Sequence, residues 1–190
     1  GGVFTSPTCG TCFSGNDFLP VNASPGVHNI TYTYPPYSVA AVTFSPLTSA
    51  GTQVFLADEA MSATNLPIGF SFNFYGTPYS TFQISSNGFI SFTQSGPTGC
   101  CSGQTIPNSS APNNLIAACW DDLNPSVATI TYSTQDVAPN RKLVVTFSNV
   151  PFTGNATPDV TAQIILYEGS NNIEIHTTNV GNSNGGTTQG

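Results

Sequence analysis

The chain has 190 residues, of which only 6% are charged, and nine acids against two bases give a net charge of −7. Ordinary globular proteins are about 25% charged; here Thr, Ser and Asn carry the polarity instead. The two bases, Arg141 and Lys142, sit side by side, so no basic stripe exists to track a phosphate backbone, and nucleic acid is excluded as a partner.

No apolar run reaches transmembrane length. The sequence itself shows no signal-peptide pattern, as expected for a mature form or an excised segment that begins Gly1-Gly2. A surface of hydroxyls and amides with five cysteines points to an exported protein with disulfides and one odd thiol. At this length a single domain buries a core unaided.

Residues 1–26 are rich in Gly, Pro, Ser and Cys without a period, and read as an irregular arm. In VHNITYTY (27–34), Ile30, Tyr32 and Tyr34 face one way, and Pro35-Pro36 ends the strand because proline cannot donate to a ladder. YSVAAVTF (37–44) and TQVFLA (52–57) are further expected strands, and DEAMSATN (58–65) is the one expected helical turn.

The central stretch is LPIGFSFNFYGTPYSTFQISSNGFISF (66–92). Ile68, Phe70, Phe72 and Phe74 alternate with small or polar residues, the period of a half-buried strand. Asn87-Gly88 marks a hairpin whose loop length is decided by side-chain direction. A two-residue loop would put Phe82/Ile84 and Ile90/Phe92 on opposite faces. A three-residue loop (Ser86, Asn87, Gly88) pairs Ile84 with Ile90 and keeps them on one face, with Gly88 left-handed. The aromatic face is expected to be core.

Residues 93–114 form a long polar loop, the kind that is functional, stapled or mobile. LIAACW (115–120) reads as a buried strand, DDLNPS as a turn, and VATITYST, KLVVTFS, VTAQIILY (160–167) and NIEIHTT (172–178) as strands, the last two joined by Glu168-Gly169-Ser170-Asn171. About ten short strands separated by turn signals predict an all-β antiparallel sandwich of the jelly-roll or Ig-like class with long loops.

The ordered motifs LPIGFSFNFYGTPYSTFQISSNGFISF, GCCSGQTIPNSSAPNNLIAACWDDLNP, NRKLVVTFSNVPF and QIILYEGSNNIEIHTTNV resemble a module of secreted bacterial surface proteins. That module is common in large multi-domain proteins of Bacteroidota, many ending in a gliding-motility-associated or type IX secretion sorting domain, and it is loosely similar to the nidogen-like extracellular domain. The resemblance covers residues 37–190. It implies a β-rich extracellular domain of a cell-surface, adhesin-like or filamentous protein. The organisation expected is an N-terminal arm with one strand over 1–34, an Ig-like remnant or an assembly strand, followed by a nidogen-like β-sandwich over 35–190.

Catalytic patterns find no mechanical context. Gly181-Asn182-Ser183-Asn184-Gly185 has the spacing of a nucleophile elbow, but no helix can follow it. His28 and His176 are read as solvated strand residues, with His176 on the outward face. Cys9-x-x-Cys12 has metal-knuckle spacing without a second pair to complete four ligands. The simpler reading is a Cys9–Cys12 disulfide, with one or two of Cys100, Cys101 and Cys119 also joined. In the family resembled, the Cys100-Cys101 pair recurs within GCCSGQ, which implies a vicinal bridge or a staple from loop to arm and leaves Cys119 as a buried thiol.

Asp121 and Asp122 follow a buried strand, and Asp58-Glu59 lie at another strand end. If the topology brings them together, Asp58, Glu59, Asp121 and Asp122 supply the oxygens a calcium ion takes; otherwise they cap turns. Calcium is the one cofactor considered. The sequons at Asn22, Asn29, Asn108 and Asn155 are those expected by chance in a chain this rich in Asn, Ser and Thr, and carry no meaning in a bacterial protein.

The expected function is a non-enzymatic structural or adhesion module, secreted or at the cell surface. It would contact a cell-surface, glycan or protein ligand through loops such as 93–114. Two alternatives stand beside it. One is a self-assembling filament subunit whose N-terminal arm adds a strand to a neighbouring copy, and the other a secreted hydrolase using paired carboxylates.

Overall fold

The computed structural model describes residues 3–14, 17–33, 37–48, 50–62, 65–93, 103–108, 110–155, 157, 159–180 and 188–190. Strands in chain order are β1 (Val3–Thr5), β2 (Phe13–Ser14), β3 (Asp17–Phe18), β4 (Thr31–Thr33), β5 (Thr52–Val54), β6 (Leu66–Phe74), β7 (Thr77–Ile84), β8 (Phe89–Ser91), β9 (Leu115–Ala117), β10 (Thr129–Gln135), β11 (Lys142–Val150), β12 (Val160–Tyr167) and β13 (Ile173–Val180). They group into two compact units, one of Gly1–Ala41 with Asn73–Thr77, the other of Val42–Phe72 with Pro78–Gly190.

In the smaller unit β1 pairs antiparallel with β4 and β2 with β3. Cys9 and Cys12 are joined by a disulfide, and Cys12 is fully buried. Phe4 lies 4.6 Å from Tyr32 and stacks on Phe13 at 5.9 Å. This stretch is therefore more ordered than its aperiodic composition predicts: a covalent turn and a few aromatic contacts replace the alternating pattern of a larger core.

The larger unit is a β-sandwich of a five-stranded sheet, β13-β12-β11-β10-β5, and a four-stranded sheet, β6-β7-β8-β9. Its core is the alternating set expected. Ile68, Phe72, Phe82, Ile84 and Ile90 on one side, and Leu143, Val145, Phe147, Ile164 and Leu166 on the other, are all fully buried. Phe82 meets Tyr132 edge-on at 5.7 Å, which fixes the two sheets face to face. Each such phenyl ring removed from water is worth about 2 kcal/mol. The β6 backbone is also held by side chains of the other sheet region: Thr134 donates to the Ile68 carbonyl at 2.8 Å, and Arg141, paired with Glu168, donates to that of Gly69.

The hairpin register is the one deduced. Ile84 pairs with Ile90 and Gln83 with Ser91, Ser85 N–H donates to the Phe89 carbonyl at 2.9 Å, and Gly88 has φ +81°.

Three local expectations are corrected. Residues 58–65 hold no helix among those described; Met61 instead bridges to Ser85. Ser62 N–H bonds the Ile84 carbonyl, and Ser86 N–H that of Ala60, so the segment satisfies the end of β7. Residues 37–44 form no strand. Their continuation is held by side chains instead. Gln163 clasps the Leu47 backbone, accepting from its N–H at 2.7 Å and donating to its carbonyl at 2.9 Å, and Gln135 donates to the Thr48 carbonyl. His176 is buried, at 4% exposure, rather than solvated. Phe44 covers it edge-on at 5.8 Å, and its Nε2 lies 3.1 Å from Glu174 Oε2. The same glutamate accepts from Tyr167, whose phenol is pushed up to about 12 by burial and by that carboxylate.

Candidate functional site

The β7–β8 turn is polar yet fully buried: Ser85, Ser86 and Asn87 are all inaccessible. Such groups are tolerated in an interior only when they are hydrogen-bonded, and their bonds join several segments at one corner of the sandwich. Ser86 Oγ accepts from Ala60 N–H at 3.0 Å. Asn87 Nδ2 donates to Glu59 Oε2 at 3.2 Å, and its Oδ1 accepts from Leu123 N–H at 3.0 Å. The Gly88 carbonyl accepts from both Ala118 and Cys119 N–H. A side chain at Gly88 would strike the Cys119 carbonyl, so glycine is required by space as well as by its positive φ.

That docking positions the acids. Trp120, 2% exposed, packs 5.0 Å from Phe89 in a cluster with Ala117, and Asp121 and Leu123 after it are buried as well. Thr153 closes the far side: its N–H donates to the Asp122 carbonyl at 2.8 Å and its hydroxyl to Asp58 Oδ1 at 3.3 Å.

Of the four acids expected to meet, three do. Carboxylate oxygens of Asp58, Glu59 and Asp122 lie within 4.8 Å of one another. Asp121 stands apart: it is 5% exposed, and its Oδ1 accepts from Asp122 N–H at 2.8 Å. Asp121 Oδ2 and Asp122 Oδ1 are buried oxygens without a hydrogen-bond partner among the described residues. Burial pushes the Glu59 carboxyl above its usual range; the Asn87 amide opposes this, and the negative charges of Asp122 and Asp58 add to it. Chemically the corner can hold a hard cation or share a proton between Glu59 and Asp122. Arg141 and Lys142 are engaged elsewhere, with Glu168 and Asp136.

The remaining candidates fall outside this corner. His28 bonds Thr8 at 3.0 Å and the Ser24 carbonyl at 2.7 Å, a structural role within the smaller unit. Cys119 is buried. Cys100, Cys101 and the 181–185 pattern lie outside the described residues. Asn87 and Thr153 carry no signal in the sequence beyond turn propensity; their roles depend on which segments the fold brings beside them.

Two antiparallel sheets packed face to face, with buried aromatics and a polar corner of loops, define an all-β sandwich module. The chain belongs to the NIDO-related family, which matches residues 33–190. No curated protein and no solved structure matches the chain. A nidogen-related domain fits a non-enzymatic structural or adhesion module and suggests an extracellular one. Among the described residues no helix is long and apolar enough to cross a membrane.

Proposed function

We propose that the chain is an extracellular structural or adhesion module of a secreted or cell-surface bacterial protein, of the type exported by the type IX route in Bacteroidota, and that it works by surface contact. Membership of the NIDO-related family supports this reading. The observation that carries it is the distribution of apolar side chains. The sandwich buries its aromatic face, yet Phe55 and Val127 stand 83 and 78% exposed on segments outside its strands, and Val39 in the smaller unit is 99% exposed. Exposed apolar groups on a surface nearly free of charge favour contact with another macromolecule. The test is a panel of polysaccharides and peptides incubated with the chain, alongside binding of labelled chain to bacterial cells. Binding without turnover is expected; turnover abolished by Asp121→Asn would overturn the reading in favour of a hydrolase.

The filament alternative is the same contact chemistry directed at a second copy. The carboxylate corner adds a second reading: Asp58, Glu59 and Asp122 bind calcium and brace the corner. Ligand binding to the folded state alone adds about 1–3 kcal/mol at ten- to a hundredfold above Kd. Calcium should therefore raise the melting temperature of the wild type and not of Asp122→Asn. No heat of binding and no shift in melting would dispose of it.

A further inference from the structure

Two segments of the sandwich part at the end of a ladder and meet again at the acids. β5 and β10 pair as far as Val54 and Ile130. Beyond that rung one segment runs on to Asp58 and Glu59, and the other runs back through the 3-10 turn Pro125–Val127 to Asp122. There carboxylate oxygens of the three acids lie within 4.8 Å of one another. Residues 55–57 make one span and residues 123–129 the other, longer one. A groove of about 580 Å³ lies here, walled by residues 53–57 on one side and 125–128 on the other. Small-ligand sites occupy roughly 300–1,000 Å³.

The walls carry no ionisable side chain. They offer one aromatic ring, Phe55, 83% exposed, together with the exposed Gln53 amide and Ser126 hydroxyl. The acids follow next along both walls. Thr153 bonds one oxygen of Asp58, and Asn87 one of Glu59, while Asp122 Oδ1 is buried without a partner among the described residues. No base of the chain neutralises them, because Arg141 and Lys142 are held by Glu168 and Asp136.

Each of these groups asks for a particular partner. The face of an aromatic ring is negative and attracts C–H groups. An amide and a hydroxyl both donate and accept, and an ionised carboxylate accepts strong bonds from hydroxyls. A sugar ring with an apolar face and a rim of hydroxyls answers all three. An anionic sugar would be repelled by three carboxylates in a chain whose net charge is −7. A peptide strand finds no rung at the ladder end, where β5 and β10 are already paired with each other.

We propose that this groove binds a neutral saccharide, one ring stacked on Phe55 and its hydroxyls bonded to Gln53, Ser126 and the carboxylates of Asp58, Glu59 and Asp122. The proposal rests on the adhesion reading above and names its ligand class and its site; it does not need calcium.

Calorimetric titration of the full chain tests it, run in chelator so that calcium plays no part. The probes are digests of neutral glucan, mannan, xylan and galactan, with polygalacturonate as the anionic counterpart. The wild type should bind at least one neutral digest with a Kd of about 1 mM or tighter, and Phe55→Ala and Asp58→Asn should each bind at least about tenfold more weakly. Both positions are exposed, so folding, checked by circular dichroism, is retained. Val39→Ser, in the smaller unit, should bind as the wild type does. Phe55→Ala binding like the wild type, or Val39→Ser losing as much as Phe55→Ala, overturns the groove. Polygalacturonate bound as tightly as the neutral digests overturns the role of the acids. A chain that binds no neutral digest yet adheres to bacterial cells overturns the saccharide and leaves the adhesion reading standing; one that binds neither overturns both.

Discussion

Two stretches of this chain share a strand-like pattern and meet opposite fates. Residues 82–92 are buried to the last side chain, including Ser85, Ser86 and Asn87 in the turn, and their polar groups are bonded to segments 58–62 and 118–123. Residues 38–44 have a strand-like apolar composition, yet stand exposed outside any sheet. Alternation makes a segment able to join a ladder; a neighbouring edge decides whether it does. The first stretch is scaffold, and the second stays largely in solvent, with Phe44 packed on His176.

The contrast can be broken most severely at Gly88. Gly88→Ala places a methyl against the Cys119 carbonyl at a φ of +81° and should destabilise by at least about 3 kcal/mol, lowering the melting temperature by roughly 6–12 °C. Asn87→Ala leaves Leu123 N–H buried without its acceptor and should cost about 2 kcal/mol, read in urea titrations as a lower midpoint at unchanged slope.

A smaller effect sharpens the electrostatics of the corner. The Glu59 carboxyl has a raised pKa in the folded state, so its neutral form is favoured by folding. That contribution is complete below the ordinary value of 4.5 and fades as pH rises through the higher folded value. Without divalent cations, Glu59→Gln should raise the melting temperature at pH 7 by about 1–2 °C, and the difference should vanish near pH 4. With calcium at saturation the sign should reverse, because the variant loses a ligand. Smallest of all, Val39→Ser at a 99% exposed position should change stability by less than about 0.5 kcal/mol, read by thermal melting.

Much of the scaffold was legible in the sequence, because period-two alternation survives any tertiary arrangement and a one-residue slip would have exposed Phe82 and Ile84. Gly88 was legible from the same argument. His176 was not: its burial depends on Phe44, a residue more than a hundred positions away that crosses the sheet outside any ladder. Segment 58–65 looked helical because nothing local reveals that Met61 will find Ser85. At the carboxylate corner, the sequence left open whether Asp58 and Glu59 meet Asp122, because that depends on which segments the topology brings together, while Asp121 Oδ1 is occupied by the next backbone N–H. Asn87 announced a turn, and its second task, bridging Glu59 to Leu123, requires knowing what packs on that turn.

The division between buried scaffold and exposed segment is tested most directly by native-state hydrogen exchange followed along the chain. In dilute solution the amides of 83–85 and 89–91 should exchange only through global opening, and those of 38–44 at nearly the rate of an unstructured peptide. Strong protection of 38–44, or fast exchange of 83–85 and 89–91, would contradict the account.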